Sequence, residues 1–196
     1  MIILAVDTAL DACSVALAKD AEVLASVSER MARGQAERLA PMVRDVMASA
    51  AVRADQIDRI AVTVGPGSFT GVRVGLAFAR SFALAIGRPC IGVSTLEALA
   101  LGEGESGLRA ALIETQGASY LALYENGAPV LAPQAVERGD AGVLIERTAQ
   151  GRPFWINSAD SIVDVVALAN RALKLDPALY PPDPLYLRSH GAKLPS

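Results

Sequence analysis

Residues 60–87 read IAVTVGPGSFTGVRVGLAFARSFALAIG, and this segment decides the fold of the chain. It begins at 60–64 with a short run of apolar residues, which predicts a buried strand. The letters GPG at 65–67 predict a tight turn. Ser68 is a typical helix N-cap and Gly87 a typical residue after a helix C-terminus. The segment therefore predicts a strand, a turn and a helix between these two caps.

The predicted helix has almost no polar face. Between positions 72 and 86 its polar residues are Arg73, Arg80 and Ser81. A helix that is apolar nearly all round has to be covered on nearly every side, and the sheet of a small domain covers one of them. The two arginines interrupt the run too often for a membrane span. We therefore expect another protein surface on the far side of this helix.

Small residues recur four apart along the same helix, at Gly71, Gly75, Ala79 and Ala83. This spacing drifts by only about 40° per step, so the four residues form one slowly winding stripe. Glycine inside a helix costs about 1 kcal/mol relative to alanine, which indicates a steric reason for it. The stripe packs against a neighbouring helix of the chain, a partner's helix, or both. On the second interpretation, a Gly75→Leu variant would stay folded and lose its partner.

The overall composition predicts a soluble protein that leaves some apolar surface for a partner to cover. The chain has 196 residues, of which 52% are hydrophobic but only 5% aromatic, so its core consists of small aliphatic side chains. The net charge of −3 argues against a chain that binds nucleic acid alone, because phosphate binding needs a basic patch. Cys13 and Cys90 lie in apolar runs typical of buried free thiols. Met1 leads directly into a strand without a basic leader, so we expect a cytoplasmic protein that does not enter a membrane.

The two halves of the chain predict the same order of elements. Each half reads strand, strand, strand, helix, strand, helix, and each has an acid at the end of its first strand, Asp7 and Glu114. In the first half the predicted elements are 2–6, 13–18, 22–29, 35–51, 60–64 and 69–86, followed by a strand at 89–93 and a short helix at 94–101 with Ser94 and Glu97 as a capping box. In the second half they are 109–114, 120–124, 129–136, 139–150, 153–157 and 161–173.

This duplicated order predicts an α/β fold of two lobes, of which the second is reduced. The first lobe is residues 1–101 and contains both long helices. The second lobe is residues 102–175 and begins with the linker GEGESG. Residues 176–196 form a proline-rich C-terminal tail that is expected to be extended.

Two halves in this order, each with an acid after its first strand, resemble the superfamily of actin-like ATPases and sugar kinases, known as ASKHA, which has an RNase H-like fold. Four segments narrow the resemblance: MIILAVDTALDACSVAL at 1–17, GPGSFTGVRVG at 65–75, IGVSTLEAL at 91–99 and PLYLRSHGAKLP at 184–195. Together they resemble the TsaB family, also called YeaZ. The resemblance covers nearly the whole first half and the tail, whereas about 105–160 matches weakly.

The resemblance implies a role in making N6-threonylcarbamoyladenosine in tRNAs that read codons beginning with A. TsaB proteins are non-catalytic subunits that pair with TsaD, the related protein that carries a metal and transfers the threonylcarbamoyl group. TsaE, an ATPase, joins the pair, and TsaC makes the threonylcarbamoyl-adenylate. The resemblance thus implies a TsaD-type and a TsaE-type partner, a homodimer when the chain is alone, and contact with tRNA only through the complex.

The resemblance also implies that the helices of the first lobe, about 35–51 and 69–86, make the partner contact. The candidate contact residues are Leu39, Val43, Phe69, Gly71, Arg73, Gly75, Ala79 and Phe82.

No residue set for catalysis or metal binding is evident. In TsaD two histidines four apart on the first helix hold the metal, but the corresponding stretch here, RGQAERL at 33–39, has none. With His190 as the single histidine and no cysteine pair, the chain lacks ligands for a transition metal. Asp7 is either a turn-capping residue or part of a magnesium site made of acids alone. We expect no catalytic residue, no metal and no cofactor.

Three other interpretations remain to be tested. A kinase-like or ATPase protein of the same superfamily would bind nucleotide, and the glycines ahead of the helix could form an anion site. That loop lacks the Lys-Ser or Lys-Thr of a Walker motif, and Glu114 and Gln116 stand where the family tends to have aspartate and arginine. Nucleotide at a subunit junction also stays open. A peptidase, as older descriptions call the family, would need a base beside Ser68 or Cys13, and His190 in the tail is a poor candidate.

Overall fold

The computed structural model describes residues 1–101 and 107–187, which form two sheets and five α-helices. The elements of the first half are β1 (Ile2–Asp7), β2 (Ala12–Lys19), β3 (Glu22–Arg30), α1 (Gln35–Ser49), β4 (Arg59–Thr63), α2 (Phe69–Ile86), β5 (Cys90–Val93) and α3 (Thr95–Ala100). Those of the second half are β6 (Leu108–Glu114), β7 (Ser119–Glu125), β8 (Ala128–Val136), α4 (Asp140–Ala149), β9 (Phe154–Ser158) and α5 (Val165–Leu173). The predicted elements are all present, with ends that differ by a few residues.

Both sheets are built on the same plan. The first has the order β3-β2-β1-β4-β5 and the second the order β8-β7-β6-β9. In each, an antiparallel three-stranded meander is extended by a parallel strand, since β4 lies parallel to β1 and β9 lies parallel to β6. The second sheet has no counterpart of β5 among the described residues. The duplicated two-lobe α/β fold with a reduced second lobe is therefore confirmed.

The largest core lies between the two sheets and belongs to both. It combines Ile3 and Ala16 of the first sheet with Ala111 and Ala122 of the second, and Leu168 of α5 is completely buried among them. Helix α5 comes from the second half of the sequence, yet it packs against β1 and β2. The two lobes are consequently held together by shared apolar burial, which is the main favourable contribution to folding.

Helices α1 and α2 cover the opposite face of the first sheet. Leu39 and Met42 of α1 and Leu76 of α2 pack on Leu4 and Val62 there. The buried apolar side chains of α1 all belong to this cluster. It leaves the far side of α2 as outer surface of the first lobe.

The predicted caps of α2 are confirmed, and the predicted capping box of α3 is wrong. The Ser68 side chain accepts a hydrogen bond from the Gly71 amide, and Gly87 has a φ of 64°. In α3 the Ser94 side chain caps nothing. Glu97 instead accepts a hydrogen bond of 2.6 Å from Arg171 of α5. A partly buried charged partner holds this carboxylate more strongly than the neutral amide of a helix N-terminus does.

The chain after α5 returns to the first sheet. The Gly92 amide of β5 donates to the Tyr180 carbonyl at 3.0 Å, and the Leu185 amide donates to the Val64 carbonyl at 2.8 Å. Residues 180–182 therefore lie along the outer edge of β5, and Leu185 lies beside the end of β4. The rest of the predicted tail, 188–196, which includes His190, lies outside the described residues, as do positions 102–106 of the predicted linker.

Candidate functional site

The small-residue stripe of α2 packs against the end of β1. A Cβ atom added at Gly71 would lie 2.0 Å from the carbonyl oxygen of Thr8, and one added at Gly75 would lie 2.7 Å from its Oγ1. Thr8 Oγ1 also donates a hydrogen bond of 2.7 Å to the Gly71 carbonyl. Ala79 is completely buried on the same face. The glycines thus let α2 approach a strand end of its own chain.

This placement changes the expected partner surface. Leu39 and Val43 of α1 are 1% and 3% exposed, so they too belong to the interior of the first lobe. Together with Gly71, Gly75 and Ala79 they cannot contact another protein unless the lobe opens. We expected a helix against the stripe. The structure places Thr8, directly after β1, against Gly71 and Gly75, and α1 also contacts α2. Three predicted contact residues remain at the surface: Phe69, Arg73 and Phe82.

The opposite side of α2 is exposed along the length of the helix. We define the outer face of α2 as Phe69, Arg73, Ala77, Arg80 and Leu84, which are all exposed. The Phe69 side chain is 63% exposed and that of Leu84 is 84% exposed. Contiguous exposed apolar groups of this kind, edged by polar residues, are typical of protein contact sites.

Aromatic and cationic groups give the outer face its shape. The Arg73 guanidinium lies over the Phe69 ring, with 3.4 Å between its central carbon and the ring centroid. This cation–π contact orients both side chains at the N-terminal end of the helix. Beside the outer face, the rings of Phe78 and Phe82 stack with centroids 5.7 Å apart. The predicted residue Phe82 therefore lies at the margin of the surface and not at its centre.

The outer face is positively charged although the chain is acidic overall. Helix α2 contains Arg73 and Arg80 and no acidic residue, and Arg88 follows its C-terminus. Arg80 approaches Asp183 at 3.7 Å, but both side chains are more than half exposed. Exposed pairs of this kind contribute little to stability, so Arg80 is available to a partner. The surface suits a partner that combines apolar side chains with carboxylates.

Helix α2 is long and apolar enough to cross a membrane by length and composition, with a mean hydropathy of 1.4 over 18 residues. The packing of α2 on the first sheet gives another explanation for its apolar composition. The small-residue side lies on the first sheet, and both ends of α2 connect directly to strands of that sheet. The remaining apolar groups form the outer face, which also carries two arginines. Helix α2 therefore has one face in the core and one exposed face.

The loop before α2 is engaged by the chain itself. The Ser68 amide donates to the Ala9 carbonyl at 2.7 Å, and a Cβ atom at Gly67 would lie 2.3 Å from that oxygen. The Gly71 amide donates to the Ser68 hydroxyl. Two of the amide groups that an anion would need at this helix terminus already have partners. The loop is a tight turn that holds the N-terminal end of α2 beside Ala9.

Asp7 is a buried turn residue. Its Oδ1 accepts hydrogen bonds from the Thr63 hydroxyl at 2.5 Å and from the Ala9 amide at 3.1 Å, whereas Oδ2 has no partner. Burial raises the pKa of Asp7 to about 6, although both hydrogen bonds act in the opposite direction. No group of three potential metal-ligating side chains occurs in the part of the chain that the structure describes. The geometry favours the turn-capping interpretation over a magnesium site.

We predict that Asp7→Asn stabilises the protein at neutral pH and not at pH 4. The folded pKa of Asp7 lies above its ordinary value of 3.8, so the folded state holds this proton more tightly than the unfolded state. The contribution of Asp7 to stability therefore falls as the pH rises from about 4 to about 6 and stays low above that range. Asparagine removes this cost, which is about 3 kcal/mol for a shift of this size. Urea unfolding of both proteins at pH 4.0 and 7.5 measures the difference, and an equal effect at both pH values would contradict the prediction.

Cys13 and Ser68, the candidate nucleophiles of a peptidase, are not arranged for nucleophilic attack. Cys13 is completely buried, and burial raises the pKa of its thiol to about 11. A thiol in this state is not a nucleophile at neutral pH. The hydroxyl of Ser68 caps α2, and His190 lies outside the described residues.

Leu84 and Arg80 complete the exposed surface, and Leu84 was not among the predicted contact residues. The helical period of α2 indicates this exposed position. Once the stripe at Gly71 and Gly75 is assigned to the interior, residues on the opposite side of the helix must be outside. The sequence alone did not decide which side the glycines faced.

Comparisons with known proteins show that the chain is similar to proteins named for tRNA modification. A family model described as TsaD, tRNA N6-adenosine threonylcarbamoyltransferase, matches residues 22–115. The tRNA threonylcarbamoyladenosine biosynthesis protein TsaB of Escherichia coli is 42% identical over 134 residues, which cover 65% of this chain and 58% of that protein. The matched part thus spans little more than half of the E. coli relative.

Two further relatives match over nearly their whole length. An uncharacterized protein of Mycobacterium tuberculosis is 32% identical, over 97% of this chain and 93% of that protein. The structure of YeaZ from Pseudomonas aeruginosa superposes with a TM-score of 0.74 and 30% identity, over 95% of this chain and 99% of that one.

Proposed function

The chain belongs to the TsaB family, also called YeaZ, and on this premise we propose that it is a non-catalytic subunit that binds and activates a TsaD-type transferase. The complex would form N6-threonylcarbamoyladenosine in tRNAs that read codons beginning with A. The single observation that carries this proposal is the outer face of α2, an exposed apolar and cationic surface in a chain whose buried acid and thiol are not set up for catalysis.

The first lobe supports TsaD as the partner. The TsaD family model matches this chain across β3, both long helices and the start of the second lobe. Two proteins with related first lobes can pair about a pseudo-two-fold axis, each using the corresponding helix. In such a pair the outer face of α2 would lie against a helix of TsaD.

The positive charge of the outer face favours a TsaD-type partner over a second copy of the chain. Two copies of this chain joined through α2 would bring Arg73 and Arg80 near the same residues of the other copy. Like charges at close range disfavour an interface, and carboxylates on a partner favour it. A TsaD-type protein with acidic residues opposite these arginines would therefore replace the second copy, so the homodimer is the weaker state.

The remaining parts of the proposal follow from the family. A TsaE-type ATPase would join the pair, and the chain would work in the bacterial cytoplasm. With a net charge of −3, the chain would reach tRNA only through the complex.

A kinase-like function has less support. A recess of about 200 Å³ lies at the N-terminal end of α2, between the turn at Gly65, the second lobe and the end of the described tail. Its lining is mostly apolar, and Arg73 is the charged side chain in it. Asp7 is buried elsewhere and engaged by Thr63. Phosphate sites often combine several cationic side chains, whereas Arg73 is the one cationic side chain in this lining.

Reconstitution of the modification tests the proposal. The chain is combined with the TsaC-, TsaD- and TsaE-type proteins of its organism, their substrates and a tRNA that reads codons beginning with A. We expect threonylcarbamoyladenosine to form at least about 10-fold faster with the chain than without it. An unchanged rate without the chain would contradict an activating role.

A further inference from the structure

The helices between the two sheets are exchanged between the halves of the chain. Helix α3 comes from the first half and packs on β6 and β7 of the second sheet, whereas α5 comes from the second half and packs on β1 and β2 of the first. Each sheet is therefore covered by a helix that the other half provides. Leu96 of α3 and Leu168 and Ala172 of α5 are completely buried in this layer. Separation of the lobes would expose these apolar side chains to water, which is unfavourable.

Each exchanged helix is also capped by a side chain from the sheet on which it packs. The last four carbonyl groups of a helix have no partner inside the helix. At the end of α5, Nη1 of Arg59 in β4 donates to the carbonyls of Ala172 and Leu175 at 2.6 and 2.9 Å. At the end of α3, Nδ2 of Asn157 in β9 donates to the Leu99 carbonyl. We call these two contacts the interlobe caps, because each of them joins residues of different lobes.

Two further contacts connect the lobes at other points. Arg171 of α5 and Glu97 of α3 form an ion pair of 2.6 Å, and their side chains are 23% and 12% exposed. Nη2 of Arg30, at the end of β3, donates to the Asp160 carbonyl at 3.1 Å. Arg30 pairs with Ala12 beyond the end of β1, and Arg59 lies beside the start of β1, so these two arginines hold opposite ends of the first sheet.

We propose that these contacts lock the reduced second lobe to the first, so that the chain moves as one rigid body and its lobes do not close on a ligand. Two-domain kinases commonly close about a hinge, which requires one side of the interdomain space to open. Contacts at both ends of the first sheet leave neither side free to do so. The second lobe then serves as a fixed cover for the first sheet. This inference is independent of the proposed function, because none of the four contacts involves the outer face of α2.

The distance between the lobes tests the proposal. Spin labels are attached to Arg44→Cys in α1 and Val143→Cys in α4, whose native side chains are 76% and 69% exposed. Cys90→Ala removes the partly buried thiol, and Cys13 is completely buried. Double electron–electron resonance of this labelled chain should give one distance distribution, with the same mean when Mg-ATP is present. A second population, or a shift of the mean with Mg-ATP, would overturn the proposal.

A double variant removes both interlobe caps from the labelled chain. Arg59→Met with Asn157→Leu deletes the two donors and keeps side chains of similar size. We expect a broader distance distribution, because the C-terminal ends of α5 and α3 are no longer held. The control is Arg53→Met, whose native side chain is 76% exposed and bonds to Asp55 two residues away. Equal widths for the double variant and this control would overturn the proposal that the caps lock the lobes.

Unfolding of the wild-type chain gives a measurement that needs no variant. Trp155 is the single tryptophan of the chain and lies in β9, so its emission follows the second lobe. Far-ultraviolet circular dichroism follows the helices and strands of both lobes. Locked lobes unfold together, and the two signals should therefore have the same midpoint in urea. A Trp155 transition complete at a lower urea concentration than the dichroism transition would contradict the lock.

Discussion

Gly71→Ala is expected to lose about 3–5 kcal/mol of folding stability, which is at the upper end for a single added methyl group. The new Cβ would lie 2.0 Å from the Thr8 carbonyl oxygen, and both atoms belong to rigid backbone segments. Relief requires α2 to move away from β1, which would break the 2.7 Å hydrogen bond from Thr8 to the Gly71 carbonyl. Urea unfolding followed by far-ultraviolet circular dichroism measures the loss.

The matched control is Gly142→Ala in α4. A Cβ atom there meets nothing within 4 Å, so alanine should raise stability by about 0.5–1 kcal/mol through helix propensity. Gly75→Leu is expected to unfold the protein for the same reason as Gly71→Ala, because its side chain would enter the space of Thr8 and Val62. A Gly71→Ala variant as stable as the wild type would show that α2 does not approach β1 this closely.

Leu84→Glu is expected to weaken binding of the TsaD-type partner by about 100-fold or more while the chain stays folded. The Leu84 side chain is 84% exposed, so the substitution removes no contact inside the protein. In the complex it would place a carboxylate in an apolar contact, where an unpaired charge is costly. Truncations at the centre of protein interfaces often have effects of this size. Titration calorimetry with the partner measures the dissociation constant.

Val143→Glu is the control for this variant. It introduces the same charge at a 69% exposed position of α4, on the second lobe. Its affinity for the partner should equal that of the wild type. If Leu84→Glu bound as tightly as Val143→Glu, the outer face of α2 would not be the contact surface.

The sequence predicts the local structure well because the signals are local. The caps of α2 at Ser68 and Gly87 act within a few residues, and the duplicated order of strands and helices follows from hydrophobic period and turn residues. The segments at 1–17 and 65–75 made the family relation predictable as well. These parts of the account depend on neighbours along the chain or on similarity to known proteins.

The parts that the sequence does not predict depend on contacts between distant residues. The glycines at 71 and 75 indicate close approach, but only the position of Thr8 shows that the approach is to the chain's own strand. Glu97 lies where a capping box would use it, yet Arg171 is close enough in space to bind it. The exposed role of Leu84 follows from the first of these contacts, which explains why it was missed.

The most direct test of the central claim is the mass of the complex in solution. Light scattering on a sizing column is recorded for the chain alone and for an equimolar mixture with the TsaD-type protein of its organism. We expect a new species with equal numbers of the two proteins, formed at the expense of the self-associated chain and weakened by salt because Arg73 and Arg80 contribute to it. Two separate peaks with the masses of the individual proteins would contradict the proposal that this chain is a TsaD-binding subunit.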